Sequence, residues 1–188
     1  MCISKEDFIK KYNMCNISCD DGFFIDLKYA SIDNFTGIAL YSTNNCLLRK
    51  GTFEKLVKAR DILRQHGYYI KIWDAYRSIS VQTKLFSVVK DERYVSNPKK
   101  STSNHCKGSA VDITLCDKKG NDIKMPTNFD HFGAESCRAY YNKLDELTKN
   151  NVILLENAMV KAGFIPFENE WWHFNDSDEY DIIYEEYK

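Results

Sequence analysis

The sequence predicts an α+β fold in which helices pack on a small central antiparallel sheet. Amphipathic segments of helical period stand beside short β-branched and aromatic runs. The two kinds are mixed without the regular strand–helix alternation of a parallel α/β sheet. The stretch "DKKGND" then reads as a tight turn returning one strand antiparallel to another.

In chain order, "TFEKLVKARDILRQHG" puts Phe53, Leu56, Val57, Arg60 and Leu63 at helical spacing. Thr52 is its candidate N-cap and Gly67 its stop. "YYIKIWDAY" follows as a strand, and Ser78 is placed to cap a helix through "ISVQTKLFSVVK". "GSAVDITLCD" is the next strand. Gly120 supplies the positive φ that the "DKKGND" turn needs, and Ile123 starts a return strand. Residues from about Ala134 to Ala162 read as helical, with Gly163 as C′ residue. "FIPFE" and "EWWHFN" are the last strand candidates.

At 188 residues, with no repeat or Pro/Gly-rich linker, the whole chain 1–188 reads as one domain able to bury a substantial core. It is 44% hydrophobic and 28% charged, ordinary for a globular protein, and its net charge of -1 gives no electrostatic reason to expect nucleic acid or an anionic membrane as partner. The N-terminal stretch has no apolar core of a secretory signal, and no run approaches the ~20 apolar residues of a spanning helix, so a cytoplasmic location is expected. The seven cysteines are odd in number and form no C-x-x-C, so the reduced state is the default. Cys106 follows His105 directly, but neighbours on an extended segment face opposite ways, which argues against a nucleophilic Cys–His pair.

The chemistry concentrates in "SNHCKGSAVDITL", where Asp112 lies between Val111 and Ile113. Burying a carboxylate there is expensive unless it is paired or binds a metal. Of four histidines, His66 suits a helix end and His131 lies in a loop without company. His105 and His173 each have a carboxylate nearby, Asp112 and Glu170 respectively. Two histidines and one carboxylate with a fourth position open form a common catalytic zinc shell, and a further carboxylate can then take a proton from water. On that reading His105, Asp112 and His173 are ligands and Glu170 is the base. Each motif alone also fits a metal-free core, "EWWHF" as an aromatic strand and His–Asp as a simple pair. Residues three apart on a regular strand face opposite sides, so the site requires a bulge or a strand that begins after Glu170. Arg77, just beyond the strand end in "IWDAYRS", is placed to aim a guanidinium at a developing oxyanion.

Taken in order, "WDAYRS", "SNHCKGSAVDITL" and "EWWHF" resemble the signature set of the D-alanyl-D-alanine dipeptidases, the VanX-type zinc peptidases linked to vancomycin resistance and cell-wall turnover. "YASIDNFTG" and Phe129–Asp130 resemble further segments of that family, so the likeness runs from about residue 29 to 174. It implies a D,D-peptidase-like (hedgehog-like) fold with one Zn2+ per chain on the sheet, held by His105, Asp112 and His173. It implies Glu170 as general base and later acid, and Arg77 as stabiliser of the tetrahedral intermediate. Asp130 would anchor the substrate ammonium, Ser103 would contact the dipeptide and Tyr29 would help close the pocket, with D-Ala-D-Ala as substrate. Ser78 and Ala75 stand where the family has proline and glycine, and the stretch from Lys90 to Ser101 is shorter than in its best-known members. The alternatives are a D,D-carboxypeptidase acting on longer peptidoglycan precursors, a non-catalytic zinc-containing binding module, and a metal-free structural domain.

Overall fold

Every residue from Ala110 to Cys116 is buried, which marks this strand as the middle of the molecule. A computed structural model describes residues 2–92, 95–98, 100 and 102–188. In chain order the elements are β1 (Cys2–Ile3), α1 (Lys5–Lys11), β2 (Met14–Ile17), β3 (Phe24–Ile25), β4 (Cys46–Arg49), α2 (Lys50–Gln65), β5 (Tyr69–Asp74), α3 (Ile79–Val89), β6 (Ala110–Cys116), α4 (Glu146–Ala162), β7 (Phe164–Pro166), β8 (His173–Asp176) and β9 (Glu186–Tyr187). The central sheet has the order β3-β5-β6-β8-β7. It is antiparallel except at one edge, where β3 pairs parallel with β5. Two small ribbons, β2–β4 and β1–β9, complete the described strands. The α+β expectation holds.

Alternation along β6 separates its two faces. Val111, Ile113 and Leu115 join the main core with Leu56, Ala59 and Leu63 of α2 and Val152, Leu155 and Met159 of α4. Those helical positions recur every three or four residues, so each helix lays one apolar stripe on the sheet. Fully burying a side chain such as Leu63 contributes about 1.5–3 kcal/mol. Asp112 points to the other face, where the helices do not cover it.

Several boundaries differ from the sequence-based expectation. Helix α2 starts at Lys50, so Thr52 is not its cap. Thr52 is buried and donates its hydroxyl to Asp176 at 2.6 Å, a long-range bond that a local pattern does not contain. Gly67 does terminate the helix, in left-handed conformation. Ser78 accepts from the Val81 amide and caps α3 as expected. Gly120 has φ 82° in its turn, but the return strand at Ile123 shrinks to one bridge, Cys116 to Asp122. Residues 134–143 are 3-10 turns rather than α-helix, and α4 begins only where Asp145 accepts from the Thr148 amide. Among the described residues no helix is long and apolar enough to cross a membrane.

Candidate metal centre and active site

Strand register builds the floor of the site. Asp74 of β5 pairs with Asp112 of β6, and Asp112 pairs with His173 of β8, so three polar side chains stand in one row across three strands. A register shift between Ile72 and Asp74 accompanies that pairing: a bulge at Trp73 turns Asp74 towards the same face. The irregularity expected near Glu170 takes its other form. Strand β8 begins at His173, and Glu170 to Trp172 form a turn closed by the His173 amide on the Glu170 carbonyl at 3.2 Å. The turn brings Glu170 and His173 to the same side, where a regular strand would separate them.

His105 arrives from a 3-10 turn, Asn104–Lys107, that is capped by the Ser103 hydroxyl and ended by Gly108 at φ 70°. Its Nε2 lies 3.2 Å from His173 Nδ1 and 3.3 Å from Asp112 Oδ2. His173 Nδ1 lies 2.9 Å from Asp112 Oδ1. All three residues are buried. The outer nitrogen of each ring faces an oxygen: His105 Nδ1 meets the Ala75 carbonyl at 2.6 Å, and His173 Nε2 meets Asn175 Oδ1 at 2.9 Å. With the ring hydrogens directed at these outer oxygens, the two inner nitrogens are left to present lone pairs to a cation; without one, they can instead donate to the Asp112 carboxylate. In the former tautomer two lone pairs and a carboxylate oxygen converge, a donor set for a cation. A tetrahedral ion at about 2.0–2.1 Å from each donor separates them by about 3.3 Å, so the donor set fits zinc. The oxygens on the outer nitrogens are the tautomer-fixing partners that metal-binding histidines use.

Charges around the triangle are sorted by contact. Burial alone would raise the Asp112 carboxyl, but His105 and His173 beside it outweigh burial and hold it well below the carboxylate range. Glu170 Oε2 stands 3.8 Å from His173 Nδ1, outside the triangle, and burial pushes its carboxyl up to about 8. Asp130, at φ 55°, accepts from the Tyr29 hydroxyl at 2.8 Å, and burial raises it to about 7 against that hydrogen bond. Arg77 Nε donates to Asp74 Oδ2 at 2.9 Å and Nη1 to Gln82 Oε1 at 2.9 Å, while Nη2 stands 3.7 Å from Asp112 Oδ2. Burial opposes its charge, but Asp74 and the surrounding oxygens hold its pKa well above the ordinary arginine value. Its guanidinium also lies 5.0 Å from the Tyr29 ring centroid.

A cavity of about 190 Å3 opens over these groups, lined by Tyr29, Arg77, Ser103, Asp130, Glu170 and the three candidate ligands among others. It is smaller than the ~300–1,000 Å3 of drug-sized pockets, which suits a small substrate. The structure thus brings together every site residue that the sequence singles out. Arg93, Tyr94, Lys99 and Ser101, in the shortened stretch expected to form a pocket wall, lie outside the described residues. Cys106 is buried and its thiol is pushed up to about 11 by burial, unsuited to nucleophilic attack. Three contributors escaped the sequence reading. Asp74 is a carboxylate in an apolar run and was open to the argument used for Asp112. Gln82 and Asn175 carry no local signal.

Residues 16–188 match the family described as Peptidase M15, D-ala-D-ala dipeptidase. The chain is 38% identical to the D-alanyl-D-alanine dipeptidase of Escherichia coli (strain K12) over 150 residues, 80% of this chain and 77% of that one. It is 28% identical to the D-alanyl-D-alanine dipeptidase of Enterococcus faecium over 174 residues, 82% of this chain and 86% of that one. Among solved structures it is loosely similar to VanYB in complex with D-Alanine-D-Alanine, with TM-score 0.47 and 16% identity over 95% of this chain and 86% of that one.

Proposed function

This chain belongs to the peptidase M15 family of D-Ala-D-Ala dipeptidases and is a metallo-dipeptidase, and from that premise we propose that it hydrolyses D-Ala-D-Ala to two D-alanines with one zinc ion per chain and Glu170 as general base. The observation that carries the reading is the convergence of two ring nitrogens 3.2 Å apart on the Asp112 carboxylate, whose Oδ1 and Oδ2 lie 2.9 and 3.3 Å from them, beside a second carboxylate outside that set. His105 Nε2, Asp112 and His173 Nδ1 would hold the ion. Bound there, zinc supplies Lewis acidity that polarises a carbonyl and acidifies water.

Glu170 takes a proton from the water that adds to the scissile carbonyl, and gives it to the amine nitrogen as the C–N bond breaks. Burial makes the Glu170 carboxylate more basic than an exposed one, which suits it to accept that proton. Arg77, locked by Asp74 and Gln82, offers fixed positive charge to the oxygen on which negative charge grows. Asp130, with Tyr29 bonded to it, would receive the substrate ammonium, and Ser103 would contact the dipeptide from the turn that carries His105. A site that demands a free ammonium rejects acylated peptides, which separates a dipeptidase from a D,D-carboxypeptidase. We read residues 1–188 as one domain working in the cytoplasm, without a nucleic-acid or membrane partner.

The test compares D-Ala-D-Ala with its N-acetylated form on zinc-loaded protein. Release of D-alanine from the free dipeptide alone is expected. Equal or better cleavage of the acetylated compound would replace the dipeptidase by the carboxypeptidase, and cleavage of neither would leave a binding role.

A further inference from the structure

We propose that Arg138 is a positioning residue, which sets the turn carrying Glu170 and His173; the inference rests on the roles just proposed for that pair. Between β7 and β8 the chain leaves the ladder. The Trp172 carbonyl still accepts from the Ile113 amide of β6 at 3.1 Å, but apart from the His173 amide that closes the turn on Glu170, no strand amide among the described residues meets the carbonyls of residues 167–171. The turn's own amides meet some of its carbonyls, Glu170 N on Phe167 at 3.3 Å and Phe167 N on His173 at 3.1 Å, and one guanidinium ties them together. Arg138 Nη1 donates to the carbonyls of Phe167 and Glu170, and Nη2 to those of Trp171 at 3.2 Å and His173 at 3.4 Å.

The guanidinium is itself held from two further sides. Its Nε donates to Glu156 Oε2 of α4 at 2.8 Å, and its carbon lies 5.0 Å from the Phe174 ring centroid. The backbone beside it grips the same turn: Arg138 N donates to the Glu168 carbonyl at 2.9 Å and Trp171 N to the Ser136 carbonyl at 3.0 Å. The side chain is 8% exposed and does not line the cavity, so it acts on the chemistry through Glu170 and His173. A planar fork with five N–H donors can span four carbonyls, whereas a lysine ammonium at the same place keeps the charge and loses the span.

The test uses R138K and, as a control on the same ion pair, E156Q, in full-length protein loaded with cobalt(II) or zinc. Three quantities are read: the visible d–d spectrum and affinity of cobalt, kcat and KM for D-Ala-D-Ala, and the melting temperature. R138K is expected to lower kcat about 10–100-fold with KM within about threefold, to weaken cobalt binding by about tenfold and to change its spectrum. E156Q, which leaves the guanidinium on the turn, is expected to melt lower while keeping the wild-type kcat and cobalt spectrum. The proposal is overturned if R138K only melts lower, with kcat and cobalt spectrum unchanged, or if E156Q loses kcat as severely as R138K. Should R138K not fold, R138Q is read for the same cobalt spectrum and affinity, and wild-type values there overturn the proposal too. Wild-type protein inert towards D-Ala-D-Ala would refute the hydrolytic reading instead, and the cobalt spectra would still decide the role of Arg138.

Discussion

The two sides of the cavity treat the same chemical group in opposite ways. On the strand floor, Asp112 touches two imidazoles, and they hold its carboxyl well down although burial pushes it up. On the turns opposite, burial prevails, and Glu170 and Asp130 rise to about 8 and about 7. The difference lies in distance to a partner, 2.9 Å from Asp112 to His173 Nδ1 against 3.8 Å from Glu170 to the same atom. A carboxylate inside the donor triangle stays an anion and suits a metal. One just outside it exchanges protons near neutral pH and suits acid–base work.

Four changes break or sharpen that contrast. The largest effect is expected from Asp112→Asn, which removes the anionic donor from the floor. Zinc affinity should fall at least about 100-fold, read by equilibrium dialysis and metal analysis, and activity should go with it. Arg77→Ala removes the fixed cation beside the floor. A loss of ~3 kcal/mol of transition-state stabilisation, about a hundredfold in kcat, is expected by steady-state kinetics. On the opposite side, Asp130→Asn should raise KM for D-Ala-D-Ala by about tenfold and shrink the preference over the N-acetylated dipeptide by a similar factor.

The smallest effect concerns stability and has a definite sign. The folded-state pKa of Glu170 lies above its ordinary 4.5, so the folded protein binds the proton more tightly than the unfolded chain. Metal-free protein should therefore lose stability as pH rises from about 4.5 to about 8. Glu170→Gln abolishes that loss. Its metal-free form should melt with wild type at pH 4 and on the order of 5 °C above it at pH 8.5, by calorimetry in chelator. A gap that widens towards acid would contradict the assigned shift.

Much of the floor was readable because its signals are local. Asp112 interrupts an apolar strand, His105 sits in a turn that ends at Gly108, and "EWWHF" joins carboxylate and imidazole in four residues. The roles of Asp130, Ser103 and Tyr29 rest on the family resemblance, because nothing in their own neighbourhoods points to a dipeptide. What escaped is long-range. Thr52 looks like a cap but bonds Asp176, 124 positions away. Ile123 looks like a strand start, yet only the bridge at Asp122 forms. Residues 134–145 look helical, but their side of the molecule is shaped to hold the 167–173 turn, through the Ser136 carbonyl and Arg138. The bulge at Trp73 follows from pairing with β6, which "YYIKIWDAY" does not encode by itself.

The central claim is that a metal-binding floor and a separate proton-transferring carboxylate share one cavity. It is tested most directly by giving D-Ala-D-Ala to zinc-loaded wild-type protein and to Glu170→Ala, with zinc counted in both. The account predicts one zinc per chain in each, D-alanine release by wild type, and a loss of about 10²–10⁴-fold in the variant. A variant that keeps its zinc and cleaves as fast as wild type would contradict it.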